Sequence, residues 1–171
     1  MFSNSINIYL NDNQKSIKLK NKLSIYFSKM KISINEKSSN IIVIGGDGTF
    51  IKVFSKCGMK NVKLLLINTG CIGFYSSFNA NFLINEILNF FHDEKNFYCP
   101  DIIKCEINAK KYYGINEVFI NSSGALITNI SINKNKYESF FGSGLCFSTI
   151  TGSTGLNKSL GGSIFLTRKR L

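Results

Sequence analysis

Ile41-Ile42-Val43-Ile44-Gly45-Gly46-Asp47-Gly48-Thr49-Phe50 is the stretch on which the fold of this 171-residue chain turns. Four consecutive β-branched residues suit a strand buried on both faces of a parallel sheet. Residues 45–49 then form a loop at the carboxyl end of that strand, and a helix is expected over 50–57, stopped near Gly58. Ligands of open α/β sheets bind at this end, where strand ends and helix N-termini converge. Glycines let the backbone turn tightly and come close to a ligand, and the N–H groups and dipole of the following helix attract phosphate oxygens. Asp47 and Thr49 supply the reactive side chains, and a carboxylate held in a bare backbone loop is a candidate base. A plainer reading stands beside this one, a strand-to-helix turn in which Asp47 or Thr49 only caps the helix.

Working outward, residues 6–10 alternate as a first strand, and Ile17, Leu19, Leu23, Ile25, Phe27 and Met30 make a helical apolar stripe among lysines. Residues 62–67 read as another strand. It runs into a second glycine-bearing loop, Asn68-Thr69-Gly70-Cys71-Ile72-Gly73-Phe74, and a helix over 82–91 follows. Composition changes around Pro100, the single proline, and from Ile102 short β-type runs dominate, over 102–109, 112–120, 126–133 and 145–150. Residues 161–165 look like the beginning of one more strand. The expected architecture is an α/β N-terminal domain with a parallel, Rossmann-like sheet, residues 1–97, followed by part of a mainly β C-terminal domain, residues 98–171.

A hydrophobic content of 44% with 13% aromatic residues excludes wholesale disorder. No apolar run approaches the roughly 20 residues needed to span a bilayer, and the first residues lack a secretory pattern, so neither a membrane nor an export route is expected and the cytoplasm is the default. The net charge of +11 comes mostly from lysines scattered along the chain. Nucleic-acid binding requires a clustered stripe rather than a total, so no nucleic-acid partner is expected and the excess favours small anionic nucleotides. Five cysteines without a Cys-x-x-Cys pair, and one histidine, give no protein metal site and no disulfide framework. They read as small buried hydrophobes.

Two further clusters carry polar chemistry. Thr151-Gly152-Ser153-Thr154-Gly155-Leu156-Asn157 places hydroxyls and glycines behind the 145–150 strand, and a helix expected to start near Thr154 offers N–H groups to a phosphate. Asn116-Glu117 is an amide beside a carboxylate within the expected 112–120 strand, costly there unless paired or bound to something polar. With Gly45-Gly46-Asp47-Gly48-Thr49 and the 68–74 loop, these clusters in this order resemble the NAD kinase family. The glycine-aspartate motif alone is also similar to lipid kinases of the diacylglycerol and sphingosine type.

The resemblance implies a kinase that transfers a phosphoryl group from ATP, or from polyphosphate, to the 2′-hydroxyl of the adenosine ribose of NAD, giving NADP. It implies Mg²⁺ or another divalent cation with ATP, and NAD as substrate. Asp47 matches the family's general base; Gly46, Gly48 and Thr49 match phosphate-holding positions, with Lys52 one helical turn on. Phe74 matches an aromatic against the nucleoside, and Asn116 and Glu117 match nucleotide contacts. Thr151, Thr154, Gly155, Leu156, Asn157, Lys158 and Ser159 match the stretch lining the dinucleotide site. Phe141-Gly142-Ser143-Gly144 stands where relatives carry Arg-Gly-Asp-Gly, and Leu156 where they carry tyrosine. Relatives also continue past this point to complete the β domain and build a homo-oligomer, so the chain is expected to be a fragment or shortened product. A non-catalytic or vestigial NAD-binding fragment is the alternative reading.

Overall fold

The computed structural model describes residues 4–58, 60–70, 73–79 and 84–166. The chain divides into two compact units between Cys99 and Pro100. The first contains β1 (Ser5–Leu10), α1 (Gln14–Lys29), β2 (Ser33–Ile34), β3 (Asn40–Gly45), α2 (Asp47–Cys57), β4 (Lys63–Asn68), β5 (Phe78–Asn79) and α3 (Ile84–His92). Their strands pair in parallel in the order β2-β1-β3-β4-β5, as the expected α/β class requires.

β3 is buried along its whole length. Ile42 and Ile44 pack with Leu65 and Ile67 of β4, with Leu23 and Phe27 of α1 and with Ile87 and Phe91 of α3. Side chains alternate across a strand, so Ile41, Val43 and Leu66 are buried on the opposite face, where α2 packs through Phe50 and Val53. Each aliphatic side chain so enclosed contributes about 1.5–3 kcal/mol. Cover on both faces is why β3 has no polar alternation.

The stripe expected for α1 is only partly the buried one. Ser16, Leu23 and Phe27 are buried, whereas Ile17 and Ile25 are 44% and 61% exposed, and Met30 follows the helix as its C-cap. At about 100° per residue, Ile17 and Ile25 rotate off the face that Ser16 and Leu23 define. Ser16 is tolerated in the core because its hydroxyl pairs with Thr69 Oγ1 at 2.9 Å. Its backbone N–H donates to the Asn13 cap at 2.7 Å.

α2 begins at Asp47 rather than at Phe50. Gly45 is the last residue of β3, and Gly46 alone turns the chain as N-cap. Glycine-rich composition made the first helical turn read as loop. The expected 82–91 helix is observed from Ile84, its first two residues lying outside the described ones.

The second unit begins with the antiparallel hairpin β6 (Ile103–Ile107) and β7 (Lys110–Gly114), followed by the long hairpin β8 (Glu117–Ile132) and β9 (Asn135–Ser148). Both turn on two residues of positive φ, Asn108-Ala109 (49° and 66°) and Asn133-Lys134 (52° and 70°). Positive φ at both central positions is the type I′ geometry whose twist matches that of the strands. The ladder of β8 and β9 is irregular between Asn121 and Leu126, opposite Gly144 and Gly142. Ile127 and Phe141 face one another across it and are 75% and 73% exposed.

After β9 come a 3₁₀ turn over Thr151–Thr154 and the four-residue α4 (Leu156–Ser159). The strand expected at 161–165 is not one: Asn157 Nδ2 donates to the Ser163 carbonyl at 2.8 Å and Phe165 N–H donates to Ser153 Oγ at 3.1 Å, so side chains rather than a ladder hold it. The described cysteines are not core residues either. Cys57, Cys105 and Cys146 are half-buried and Cys99 is exposed, while Cys71 lies outside the described residues. No described helix is long and apolar enough to cross a membrane.

Candidate active site

In the first unit, the carboxyl ends of β3 and β4 bring two motifs together. Asp47 is the first residue of α2, where its negative charge complements the helix dipole. Its carboxylate does not cap the helix. Oδ2 accepts the backbone N–H of Phe74 at 2.9 Å, and Oδ1 accepts that of Tyr75 at 3.2 Å. The Tyr75 ring stacks on Phe50, one turn along α2, with centroids 5.1 Å apart and planes at 19°. Thus the acid is held at both oxygens, by a loop that is itself clasped to the same helix.

The glycines here have unlike reasons to be bare. At Gly45 a β-carbon would lie 2.6 Å from Thr49 Oγ1, so strand and helix could not meet this closely with a side chain there. At Gly46 and Gly48 a β-carbon would meet nothing within 4 Å. Their bareness leaves open space over the first turn of α2, beside backbone N–H groups without intrahelical partners. That space suits phosphate oxygens. Thr49 is half-buried and Lys52 is exposed. Phe74 is 74% exposed, so its ring is not a core residue of this unit.

In the second unit, Asn116 is not in a strand interior. β7 ends at Gly114, Ile115 and Asn116 form a bend, and Glu117 opens β8. Thr149 ties this bend to the end of β9. Its N–H donates to the Asn116 carbonyl at 2.8 Å, and its hydroxyl is shared between the carbonyls of Ile115 at 2.6 Å and Asn116 at 3.1 Å. The same Oγ1 accepts Gly152 N–H at 3.0 Å. A β-carbon at Gly152 would collide with the Asn116 carbonyl. Gly152→Ala is therefore expected to cost about 1–3 kcal/mol by forcing the backbone apart. Gly124→Ala, where a β-carbon meets nothing within 4 Å, is the tolerated control, and urea midpoints of the two variants check the difference.

Glu117 Oε2 is buried and has no hydrogen-bond partner among the described residues, and it lies 3.5 Å from the position of a β-carbon on Gly155. Burial pushes the Glu117 carboxyl above the ordinary carboxylate range. It pushes the Cys146 thiol up as well, helped by the charge of Glu117, so this thiol is a poor nucleophile at neutral pH. For Glu117 the unfolded chain releases its proton first as pH rises. The contribution of this group to native stability therefore falls from about pH 4 upward, through the raised value, and the deficit persists above it. Glu117→Gln is expected to remove this slope and to raise the urea midpoint at neutral pH, measured across an acid-to-neutral series. An acceptor buried without a donor is the feature that ribose hydroxyls would satisfy.

Of the remaining expected site residues, Thr151, Leu156 and Asn157 are half-buried, and Thr154, Gly155, Lys158 and Ser159 are exposed. α4 starts at Leu156, two residues later than expected, with Gly155 as N-cap and no side-chain cap bond. Asn157 is engaged within the fold, donating to the carbonyls of Ser153 at 3.3 Å and Ser163 at 2.8 Å. A cavity of about 410 Å³ is bordered by Phe119, Ser143, Cys146, Asn157, Leu160 and Gly162. Sequence reasoning missed Tyr75 and Thr149. Tyr75 acts through a backbone N–H, which has no side-chain signature. Thr149 lies inside the run 145–150 expected as a strand, where nothing in the sequence marks its hydroxyl as a link to the backbone of residues 115 and 116.

The chain is similar to known proteins along most of its length. Residues 6–95 match the family described as ATP-NAD kinase N-terminal domain. An NAD kinase of Ureaplasma parvum is 42% identical over 148 residues, 85% of this chain and 54% of the relative. One of Mycoplasmoides gallisepticum is 36% identical over 156 residues, 90% of this chain and 56% of the relative. The chain thus spans about half the length of these curated relatives. Among solved structures, an NAD kinase from Archaeoglobus fulgidus in complex with ATP superposes with a TM-score of 0.74 at 17% identity, covering 96% of this chain and 68% of that one. Yeast NADH kinase complexed with NADH gives 0.68 at 16%, covering 95% and 62%. At these identities the superpositions speak for a shared fold.

Proposed function

Since the chain belongs to the ATP-NAD kinase family through a match over residues 6–95, we propose that the protein phosphorylates the 2′-hydroxyl of the adenosine ribose of NAD, with ATP as donor, to give NADP. One observation carries this reading: the Asp47 carboxylate, gripped at both oxygens, stands beside the open faces of Gly46 and Gly48 at the carboxyl end of a parallel sheet. Phosphoryl transfer is catalysed mostly by positioning and charge stabilisation, with a carboxylate to take the proton of the attacking hydroxyl. Asp47 is that base. Gly46, Gly48 and Thr49 receive phosphate oxygens, and Lys52 adds positive charge one turn on.

Phe74 offers its exposed ring to a nucleobase. Asn116 and Glu117 hold ribose hydroxyls, which donate to the buried Oε2, and Thr151 with residues 154–159 contacts the dinucleotide. No group of three or more His, Cys, Asp or Glu able to hold a metal occurs among the described residues. Mg²⁺ is commonly bound through substrate phosphates rather than in an all-protein cage, so the divalent cation belongs to the ATP in this proposal. A homo-oligomeric full-length protein in the cytoplasm, with nucleotides as its small-molecule partners, completes it. The test is incubation of the full-length gene product with NAD, ATP and Mg²⁺ and assay of NADP by an NADP-specific dehydrogenase. Steady NADP formation is expected; a folded protein that binds NAD and yields none overturns the proposal.

A further inference from the structure

We propose that Asn68 is a positioning residue for the Asp47 carboxylate. Asn68 ends β4 and is only 9% exposed, a place where an amide is costly unless its polar atoms are used. Its Oδ1 accepts the N–H of Gly70 at 2.8 Å. On the other side, a β-carbon at Gly73 would lie 2.8 Å from Asn68 Nδ2, so the chain at Gly73 is seated directly against the amide. One side chain therefore bonds Gly70 and lies against Gly73, the residue immediately before the two that grip Asp47.

Beyond Gly73 the segment is fixed from other directions. Ser76 Oγ donates to the Gly73 carbonyl at 3.4 Å, Ser77 N–H returns to the Leu66 carbonyl at 3.0 Å, and Tyr75 stacks on Phe50. Asn68 sets the near side of this segment and so the direction in which the Phe74 and Tyr75 N–H groups point. Two donors on the two oxygens of a carboxylate fix the plane of the group as well as its place. A general base must present a lone pair to its proton within hydrogen-bond reach, and small errors of placement at a reacting centre cost about 10²-fold in rate. Asn68 touches no reacting atom in this scheme; it acts through the backbone of residues 73–75.

The catalytic consequence rests on the kinase reading, whereas the structural one does not, and the experiment separates them. In the full-length gene product, Asn68→Leu keeps the shape and removes both polar atoms, while Asn68→Asp keeps the acceptor for Gly70. Amide hydrogen exchange is followed at Phe74 and Tyr75 and, as reference, at Val43 and Leu66, alongside kcat and KM for NAD. Asn68→Leu is expected to speed exchange at Phe74 and Tyr75 about tenfold or more, to leave Val43 and Leu66 unchanged, and to lower kcat about 10- to 100-fold. Asn68→Asp, which keeps the acceptor for Gly70 but puts an oxygen where Nδ2 meets Gly73, is expected to recover only part of the exchange protection. Unchanged exchange at Phe74 and Tyr75 overturns the proposal, as does equal acceleration at Val43 and Leu66, which would make Asn68 a general fold residue. Faster exchange with kcat intact removes the link to catalysis and overturns it too. If the unsubstituted protein forms no NADP, the kinase reading fails on its own, and exchange alone decides whether Asn68 orients Asp47.

Discussion

Asp47→Asn is expected to lower kcat/KM for NAD phosphorylation by about 10²- to 10⁴-fold, the range lost with a general base, while NAD binding changes only a few-fold. Asparagine keeps the size of the side chain but has no lone pair of carboxylate basicity. It also presents an N–H₂ where one of the Phe74 and Tyr75 N–H groups requires an acceptor. Some loosening of the 73–75 segment is therefore expected, visible as faster amide exchange there. Steady-state kinetics with calorimetric titration of NAD separate the two effects. A variant that turns over like the parent would end the case for Asp47 as base.

Gly48→Ala carries the second large effect, and here stability and activity are expected to move in opposite directions. Gly48 lies in the first turn of α2, and a β-carbon there meets nothing within 4 Å. Alanine is the better helix former by about 0.8–1.0 kcal/mol, so the urea midpoint is expected to hold or rise. The added methyl enters the space assigned to phosphate, and turnover is expected to fall about 10²-fold through displacement of the reacting groups. Gly45→Ala gives the contrast. Its β-carbon crowds Thr49 Oγ1, so that variant loses stability first. Equal activity of Gly48→Ala and the parent protein would argue that this turn does not face a ligand.

The sheet of the first unit was legible because burial on both faces leaves an unbroken apolar run, and 41–44 is such a run. The start of α2 was not, since Gly48 is a poor helix former that tertiary packing overrides. Ile17 and Ile25 misled the reading of α1: hydrophobicity alone does not show which face of a helix is covered, and buried Ser16 carries no apolar signal at all. Two-residue strands such as β2 and β5 are too short to have a period. The first ten residues of β9 escaped notice because 135–144 has no β-branched residue; their pairing follows from the Asn133-Lys134 turn and from the partner strand β8. At the site, sequence could single out Asp47 as a candidate, but the donors that hold its carboxylate could not be read. They are main-chain groups 27 and 28 residues away.

The long hairpin has a consequence for the order of events during folding. Its ladder runs from the turn at Asn133-Lys134 to the pair Glu117 and Ser148, so the residues assigned to ribose binding sit at the end farthest from where the strands are joined. A hairpin that zips from its turn closes in about 1–10 μs, and its open end closes last and frays first. Thr149, bridging to Ile115 and Asn116, acts as a buckle at that open end. Nucleotide binding by the second unit is therefore expected to appear only once this buckle has closed, making ligand capture a late reporter of a chain that is already mostly ordered.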